Sequence, residues 1–222
     1  MENSWAAFAL YMFFSLLLFA FTLSGPIAAL LGLDDVASGI YNAGKPFCHQ
    51  WIYRSYCIFN ATNGWIVEDC IPADYNGTAI VHTKYTLASH AWDGVFAYSI
   101  AQVGRNRAEV VERDGMTGYK FVVCSRDSAM YFGMVFAGFA FLYLRRRIKE
   151  TPSLLFLILG MIPMGIDGTG QLFGLWESTN MMRAITGFIA GAVIGFYLLS
   201  LLTEIMVKVD RRKGLDARRP AK

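Results

Sequence analysis

Three short motifs in this chain combine residue types that can bind a metal ion or transfer protons. They are Phe47-Cys48-His49-Gln50, Cys124-Ser125-Arg126-Asp127 and Gly165-Ile166-Asp167-Gly168-Thr169-Gly170-Gln171. Each motif lies beside or inside a hydrophobic stretch, where a polar or ionisable group is costly unless it is paired. Polar chemistry at such a boundary predicts a functional site.

The first two motifs offer a set of ligands that suits zinc. Cys48, His49, Cys124 and Asp127 supply two thiolates, an imidazole and a carboxylate, and zinc accepts sulfur, nitrogen and oxygen in a tetrahedron. The step of three residues from Cys124 to Asp127 can place both side chains on one face of a helical turn. Adjacent Cys and His side chains seldom reach one ion without irregular backbone, so the alternative for His49 is a hydrogen-bonded boundary histidine.

Asp167 lies within an apolar run among three glycines, and Gln171 follows one helical turn later. Glycine at this density can open a helix, and polar backbone at membrane depth is tolerated only against protein or a water-filled cavity. Arg126 and Arg183 are the candidate counter-charges. Two interpretations stay open, namely a structural ion pair that locks helices together and a proton, ion or headgroup site.

A further polar group could bind an anion. Asn180, or the threonine before it, can cap the helix that follows, and Arg183 lies in its first turn, where the helix dipole favours negative charge. A phosphate or lipid headgroup would suit such a place. The predicted ligand-binding residues are Gln50, Arg126, Gln171, Asn180 and Arg183.

The elements that position these motifs are apolar segments long enough to cross a membrane. The chain has 222 residues, of which 55% are hydrophobic, and this fits one compact membrane domain. Apolar runs cover roughly residues 5–33, 128–144, 153–175 and 184–207, each near or above the ~17–25 residues that a membrane helix needs. We therefore predict an all-α integral membrane protein with four transmembrane helices and a large extracytoplasmic loop between the first two.

Basic residues set the predicted orientation. Residues 145–149 read Arg-Arg-Arg-Ile-Lys, and residues 208–222 carry seven Lys or Arg. Such clusters mark the cytoplasmic side, and two spans separate them. This predicts a multi-pass protein of the cell membrane with both termini in the cytoplasm. Residues 87–103 are interpreted as an amphipathic or exported segment, and the net charge of +3 is too small to indicate nucleic-acid binding.

The predicted domain organisation follows from these spans. Transmembrane helix 1 covers residues 1–33, a disulfide-stabilised extracytoplasmic loop covers 34–122, a three-helix membrane core covers 123–208, and a basic cytoplasmic tail covers 209–222. Within the loop, alternating residues around an Asp-Gly pair predict a hairpin at 108–123. The triplets Asn60-Ala-Thr62 and Asn76-Gly-Thr78 are candidate acceptors for N-linked glycans, as in a glycoprotein.

All four cysteines fall in the part of the chain that is placed outside. An even number of cysteines in an oxidising compartment suggests disulfides, and four allow three pairings. We favour a disulfide between Cys57 and Cys70. This leaves Cys48 and Cys124 either for a metal or redox role or for a second structural disulfide.

Three glycines recur every four residues in the last apolar run, at Gly187, Gly191 and Gly195. Small residues at this spacing let membrane helices approach closely. The pattern indicates packing within the chain or an interface with a second copy or a larger membrane complex.

The order of the motifs resembles a family of predicted small prokaryotic membrane proteins, the domain of unknown function 2085. The matching motifs are Cys48-His49-Gln50, Arg54-Ser55, Cys124-x-Arg126, Pro163 with Asp167-Gly168-x-x-Gln171, and Ser178-x-Asn180-x-x-Arg183-x-x-Thr186-Gly187. The resemblance covers about residues 46–57 and 121–196 and implies a zinc or redox centre. Members usually have a cysteine where this chain has Asp127, which can ligate zinc but cannot form a disulfide.

Three functions from different classes fit these residues. The first is a metal-binding membrane protein, with zinc as the expected cofactor, that acts on or carries a small ligand or lipid headgroup. The second is a membrane enzyme that uses metal-bound water, with Asp167 as general base. The third is a structural subunit whose motifs only hold helices together. The residues alone leave these alternatives open.

Overall fold

Helices dominate the chain, and four of them are long and apolar enough to cross a membrane. The computed structural model describes residues 2–48, 51–72, 74–75, 77–85, 94–97, 108–144 and 151–216. Its α-helices are α1 (Glu2–Leu30), α2 (Asp34–Gly44), α3 (Ser125–Leu144), α4 (Leu154–Leu172) and α5 (Asn180–Asp216). Within these described residues, α1, α3, α4 and α5 are the candidate membrane spans, as the sequence predicts.

Two of these spans end in the same way. Beyond α1, the amide of Leu33 donates to the carbonyl of Ala28 at 2.9 Å, and Gly32 adopts φ 73°. Beyond α4, the amide of Leu175 donates to Gly170 at 2.9 Å, and Gly174 adopts φ 69°. A glycine in the left-handed region lets the chain turn back and satisfy the last carbonyl groups of the helix.

The prediction of an all-α fold is wrong, because much of the segment between α2 and α3 forms an antiparallel sheet. The strands are β1 (Tyr56–Ala61), β2 (Gly64–Asp69), β3 (Thr78–His82), β4 (Gly94–Ala97), β5 (Val110–Arg113) and β6 (Met116–Lys120). They lie in the order β2-β1-β6-β5-β3-β4. Cys57 and Phe59 of β1 face the same side and belong to the core of the sheet. The strands satisfy their backbone groups through the hydrogen bonds to their neighbours.

The chain divides into two compact units. The helix unit comprises residues 1–18, 129–175 and 185–222, and the sheet unit comprises residues 19–128 and 176–184. Within the described part of the sheet unit, the core includes Phe59, Val81 and Val111 together with Cys57 and Cys70. These two cysteines form a disulfide, as predicted, and both are fully buried.

Glycines allow close packing of α3 and α5 within the helix unit. A Cβ atom on Gly191 would overlap the carbonyl oxygen of Met130, and one on Gly133 would overlap that of Phe188. Gly195 in turn makes room for the Tyr11 hydroxyl, which donates to the carbonyl of Met134 at 2.7 Å. Part of the predicted glycine face therefore serves packing within the chain, while its use between copies stays a prediction.

Three further expectations meet the described residues only in part. The helix α5 continues to Asp216 and so enters the predicted tail at 209–222, while its candidate membrane span ends at Val209. The basic run at 145–149 lies outside the described residues, as does residues 87–103 apart from β4. A hairpin joins β5 and β6, and its turn is Asp114-Gly115, in which both residues have positive φ.

Candidate metal centre

Three of the four predicted metal ligands come together in the sheet unit. One ligand atom each from Cys48, Cys124 and Asp127 lies within 4.8 Å of the others, and all three residues are partly buried. The closest pair is the Cys124 Sγ and the Asp127 Oδ2, at 3.0 Å. Zinc at about 2.3 Å from sulfur and 2.0–2.2 Å from oxygen holds such atoms roughly 3.5–3.8 Å apart. The Cys124 and Asp127 atoms are slightly closer than this, so they would move apart by about half an ångström when zinc replaces the hydrogen bond.

The local structure explains why these residues meet. Cys124 directly precedes α3 and Asp127 lies in its first turn, so the step of three residues brings both to one side. The amide of Ser128 donates to the carbonyl of Cys124 at 3.0 Å, which closes this first turn. Cys48 follows α2 after a short turn that begins with Lys45.

The surroundings of Cys124 favour the protonated form of its thiol. Its hydrogen bond with Cys48, followed by burial and the charge of Asp127, raises the pKa of Cys124 well above its ordinary value. The thiol accordingly donates to the Asp127 carboxylate. A metal ion must displace this proton, so we expect metal binding to release protons and to weaken as the pH falls.

A fully buried lysine interacts electrostatically with both cysteines. Lys120, the last residue of β6, is fully buried, and burial lowers the pKa of its ammonium group, while Cys48, Glu109 and Cys124 act in the opposite direction. Its Nζ donates to the carbonyl of Phe121 at 3.0 Å. Sequence reasoning missed Lys120 and Glu109. Lys120 ends β6, and Glu109 directly precedes β5, the strand that pairs with β6.

Two predicted site residues, His49 and Gln50, lie outside the described residues. The expectation that His49 is a fourth metal ligand therefore stays a prediction, as does the ligand role of Gln50.

Asn180 binds protein groups on three sides. Its Oδ1 accepts from the Ser125 hydroxyl at 2.9 Å, and its Nδ2 donates to the carbonyls of Tyr53 at 3.0 Å and Ser55 at 3.5 Å. Of the two predicted caps of α5, Thr179 makes the cap hydrogen bond: its hydroxyl oxygen accepts from the amide of Met182 at 3.2 Å. Asn180 thus fixes the starts of α3 and α5 to the chain just before β1.

Arg183 is also engaged within the protein. Its guanidinium and that of Arg54 both contact the same carboxylate oxygen of Glu177, at 2.9 Å each. Residues of the motifs around Arg54, Ser125, Asn180 and Arg183 therefore converge in the sheet unit, although they are far apart in the sequence.

Asp167 and Gln171 belong to the helix unit, whereas Arg126 and Arg183 belong to the sheet unit. Asp167 is buried, and its Oδ2 accepts from the Gln171 amide at 3.2 Å. The step of four residues along α4 makes this contact possible. The proposed pairing of Asp167 with the two arginines stays a prediction.

Comparison with known proteins gives a consistent assignment. A family described as "Predicted membrane protein (DUF2085)" matches residues 115–197. An uncharacterized protein of Methanocaldococcus jannaschii is 39% identical over 92 residues, which are 41% of this chain and 59% of that protein. An uncharacterized protein of Methanothermobacter thermautotrophicus is 38% identical over 89 residues, which are 40% of this chain and 75% of that protein.

The matched region thus spans about three fifths of the length of the Methanocaldococcus relative. No solved structure matches the chain. The matched residues include Asp127, Asp167, Asn180 and Arg183, and four apolar helices of the described part can cross a membrane. The chain belongs to the DUF2085 family of predicted membrane proteins.

Proposed function

We propose that this membrane protein binds a zinc ion through Cys48, Cys124 and Asp127. The observation that carries the proposal is the mutual approach of their ligand atoms to within 4.8 Å. Two sulfur ligands favour zinc over magnesium or calcium, which prefer oxygen throughout. The fourth position belongs either to His49, which would give a closed structural site, or to water or a small ligand, which would give an open one.

The charges around the cluster support an anionic metal complex. Zinc held by two thiolates and one carboxylate carries a net negative charge, which is costly to bury without a nearby cation. Lys120 supplies a fully buried ammonium group in the field of both cysteines. The metal-bound state would therefore stabilise the charged form of Lys120, which burial alone disfavours.

A disulfide between Cys48 and Cys124 is the second candidate. Neither cysteine belongs to a disulfide in this structure, and their sulfur atoms are among the ligand atoms that lie within 4.8 Å of one another. In an oxidising compartment they could be joined, and Asp127 would then be left without a metal role. The two candidates differ in thiol content and in metal content.

We further propose that both termini lie in the cytoplasm and that the sheet unit lies outside. The support is the spacing of the basic clusters along the sequence, with two candidate spans between them. The Cys57–Cys70 disulfide agrees with an oxidising environment. This orientation would place Asn60, an exposed residue of β1, where glycan transfer can occur.

Elemental mass spectrometry of detergent-purified full-length protein, combined with thiol counting after denaturation, tests the metal proposal. We expect about one zinc per chain and two free thiols, with zinc lost in Cys48→Ser, Cys124→Ser and Asp127→Asn. Asp35→Asn is the matched control, because Asp35 is an exposed carboxylate in the first turn of α2. Absence of zinc, with or without a second disulfide, would contradict the proposal, and a second disulfide would support the alternative.

A further inference from the structure

A second cluster in the sheet unit has the geometry of an oxyanion site. The Oε1 atom of Glu177 contacts the NH2 atoms of Arg54 and Arg183 at 2.9 Å each and accepts from the Tyr53 hydroxyl at 3.2 Å. Glu177 lies in the turn between α4 and α5, and its side chain is 54% exposed. Three donors from two distant parts of the chain thus converge on one oxygen of an exposed carboxylate.

The two arginines are held in place independently of Glu177. The Arg183 side chain is only 3% exposed. The Arg54 guanidinium lies over two rings, 4.5 Å from the centroid of Trp51 and 5.0 Å from that of Tyr53. Stacked and buried guanidinium groups lose little freedom when they bind, and their planar donors match phosphate and carboxylate oxygens.

One donor of this cluster has no acceptor. The Nε atom of Arg54 is buried and has no hydrogen-bond partner within the part of the chain that the structure describes. Glu177 reaches the NH2 atom of Arg54 but leaves Nε unsatisfied. A buried donor without a partner costs free energy, so a larger anion with more oxygen atoms would suit the site better.

A cavity of about 170 Å³ lies beside Glu177. It offers room for the rest of a molecule whose anionic group binds the two arginines. Its walls include Tyr53, Ile71 and Ser178, together with the carboxyl group of Asp69. The apolar side chain and the hydroxyl groups of these walls suit a small organic group. Asp69 can accept a hydrogen bond from a hydroxyl or ammonium donor on that group. A phosphate ester with a polar headgroup has both the anion for the arginines and the organic group for the cavity.

The position along the chain also favours a membrane ligand. Arg183 lies in the first turn of α5, and the candidate span begins at Asn180. The ends of membrane helices lie at the level of the lipid headgroups. Arginine there is well placed to contact phosphate groups.

We propose that Arg54, Arg183 and Tyr53 form a binding site for the phosphoryl oxygens of a phosphate ester, either a phospholipid headgroup or a soluble one. Glu177 occupies the site when the ligand is absent and moves aside when the ligand binds. This site specifies the chemical class of the small ligand or lipid headgroup that the sequence predicts. It does not depend on the metal centre.

Competition by Glu177 gives the proposal a sharp test. Full-length protein in detergent is titrated with phosphatidylglycerol, followed by native mass spectrometry, and separately with glycerol 3-phosphate, followed by calorimetry. Glu177→Gln should tighten binding about tenfold and Arg54→Gln should weaken it about tenfold, the scale of one charge-assisted hydrogen bond. Lys84→Gln is the matched control, because Lys84 also pairs with a carboxylate, Asp34, and lies 5.0 Å from an aromatic ring.

Each outcome decides something. Tightening in Glu177→Gln for the lipid alone identifies a headgroup site, and tightening for both probes identifies a site for phosphate esters in general. Unchanged or weaker binding in Glu177→Gln overturns the proposal, as does a loss in Lys84→Gln that equals the loss in Arg54→Gln. Zinc content, measured on the same samples, should be unaffected by all three substitutions, so failure here leaves the metal proposal standing.

Discussion

Replacement of Gly191 by alanine tests the close approach of α3 and α5 in the helix unit. A Cβ atom there would overlap the carbonyl oxygen of Met130 and lie 2.7 Å from its carbonyl carbon and its Cα. Ordinary contact begins at 3.4 Å, so the two carbon contacts alone require the backbones to move apart by about 0.7 Å, and the oxygen contact requires more. Overpacking costs about 1–3 kcal/mol, and the better helix propensity of alanine returns at most about 1 kcal/mol. Because the obstacle is backbone, we expect the overpacking cost to lie near the upper end, about 3 kcal/mol. The net loss of stability is then about 2 kcal/mol.

The matched control is Gly165→Ala in α4, where an added Cβ meets nothing within 4 Å. The same methyl group in a helix of the same unit should be neutral or should stabilise by about 0.4–1 kcal/mol. Unfolding of both variants in detergent, followed by circular dichroism, measures the difference. Equal midpoints for Gly191→Ala and Gly165→Ala, or a lower one for Gly165→Ala, would refute the packing argument.

Three further predictions concern the sheet unit. Replacing Cys57 and Cys70 by alanine opens a disulfide with a sequence separation of 13 and should cost about 3 kcal/mol in denaturant unfolding without reductant; a loss below 1 kcal/mol would argue against it. The hydrogen bond from Lys84 holds the pKa of Asp34 below its usual 3.8, so this stabilisation is complete above pH 3.8 and is lost as the pH falls through the folded value. Asp34→Asn should therefore reduce the acid sensitivity of unfolding, and an unchanged acid profile would contradict this assignment. Finally, protein from a glycosylating host should lose the mass of one glycan in Asn60→Gln, whereas identical intact masses would exclude transfer at this residue.

Membrane helices were predictable because their signal is long and local. An apolar run of some twenty residues leaves few alternatives to a helix, since every backbone group must be satisfied within the segment. The residues at which these helices end were harder to predict. Gly32 and Gly174 end α1 and α4 by positive φ, whereas α5 continues through the basic residues after its candidate span to Asp216.

The sheet was missed because its strands are short and their order is not local. β1 pairs with β6 across more than fifty residues, and no pattern within four to six residues encodes that partner. Glycine and asparagine between the strands resembled an irregular loop. Only the Asp114-Gly115 turn carried a strong local signal, because both residues need positive φ there.

Within the candidate site, sequence spacing was informative where one helix positions both residues. Cys124 and Asp127 lie a single turn apart in sequence and in space. Glu177 was missed as the partner of Arg183, because a turn residue gives no sign of which charge it will meet. In the structure the carboxylate of Glu177 contacts Arg183 at the start of α5, where the sequence predicts an anion ligand, and that ligand role stays a prediction.

Asn180 links the two candidate sites through its hydrogen bonds. Through Ser125 it holds the turn between Cys124 and Asp127, and through the carbonyl of Tyr53 it holds the segment that carries Arg54. Loss of this amide would remove the partner of the buried Ser125 hydroxyl and of the partly buried Tyr53 carbonyl, which is costly in each case. Disturbance at Asn180 should therefore weaken zinc retention and phosphate binding together, whereas changes at Asp127 or Glu177 should affect one alone. The hydrogen bonds of this one side chain therefore help to fix the geometry of both candidate sites.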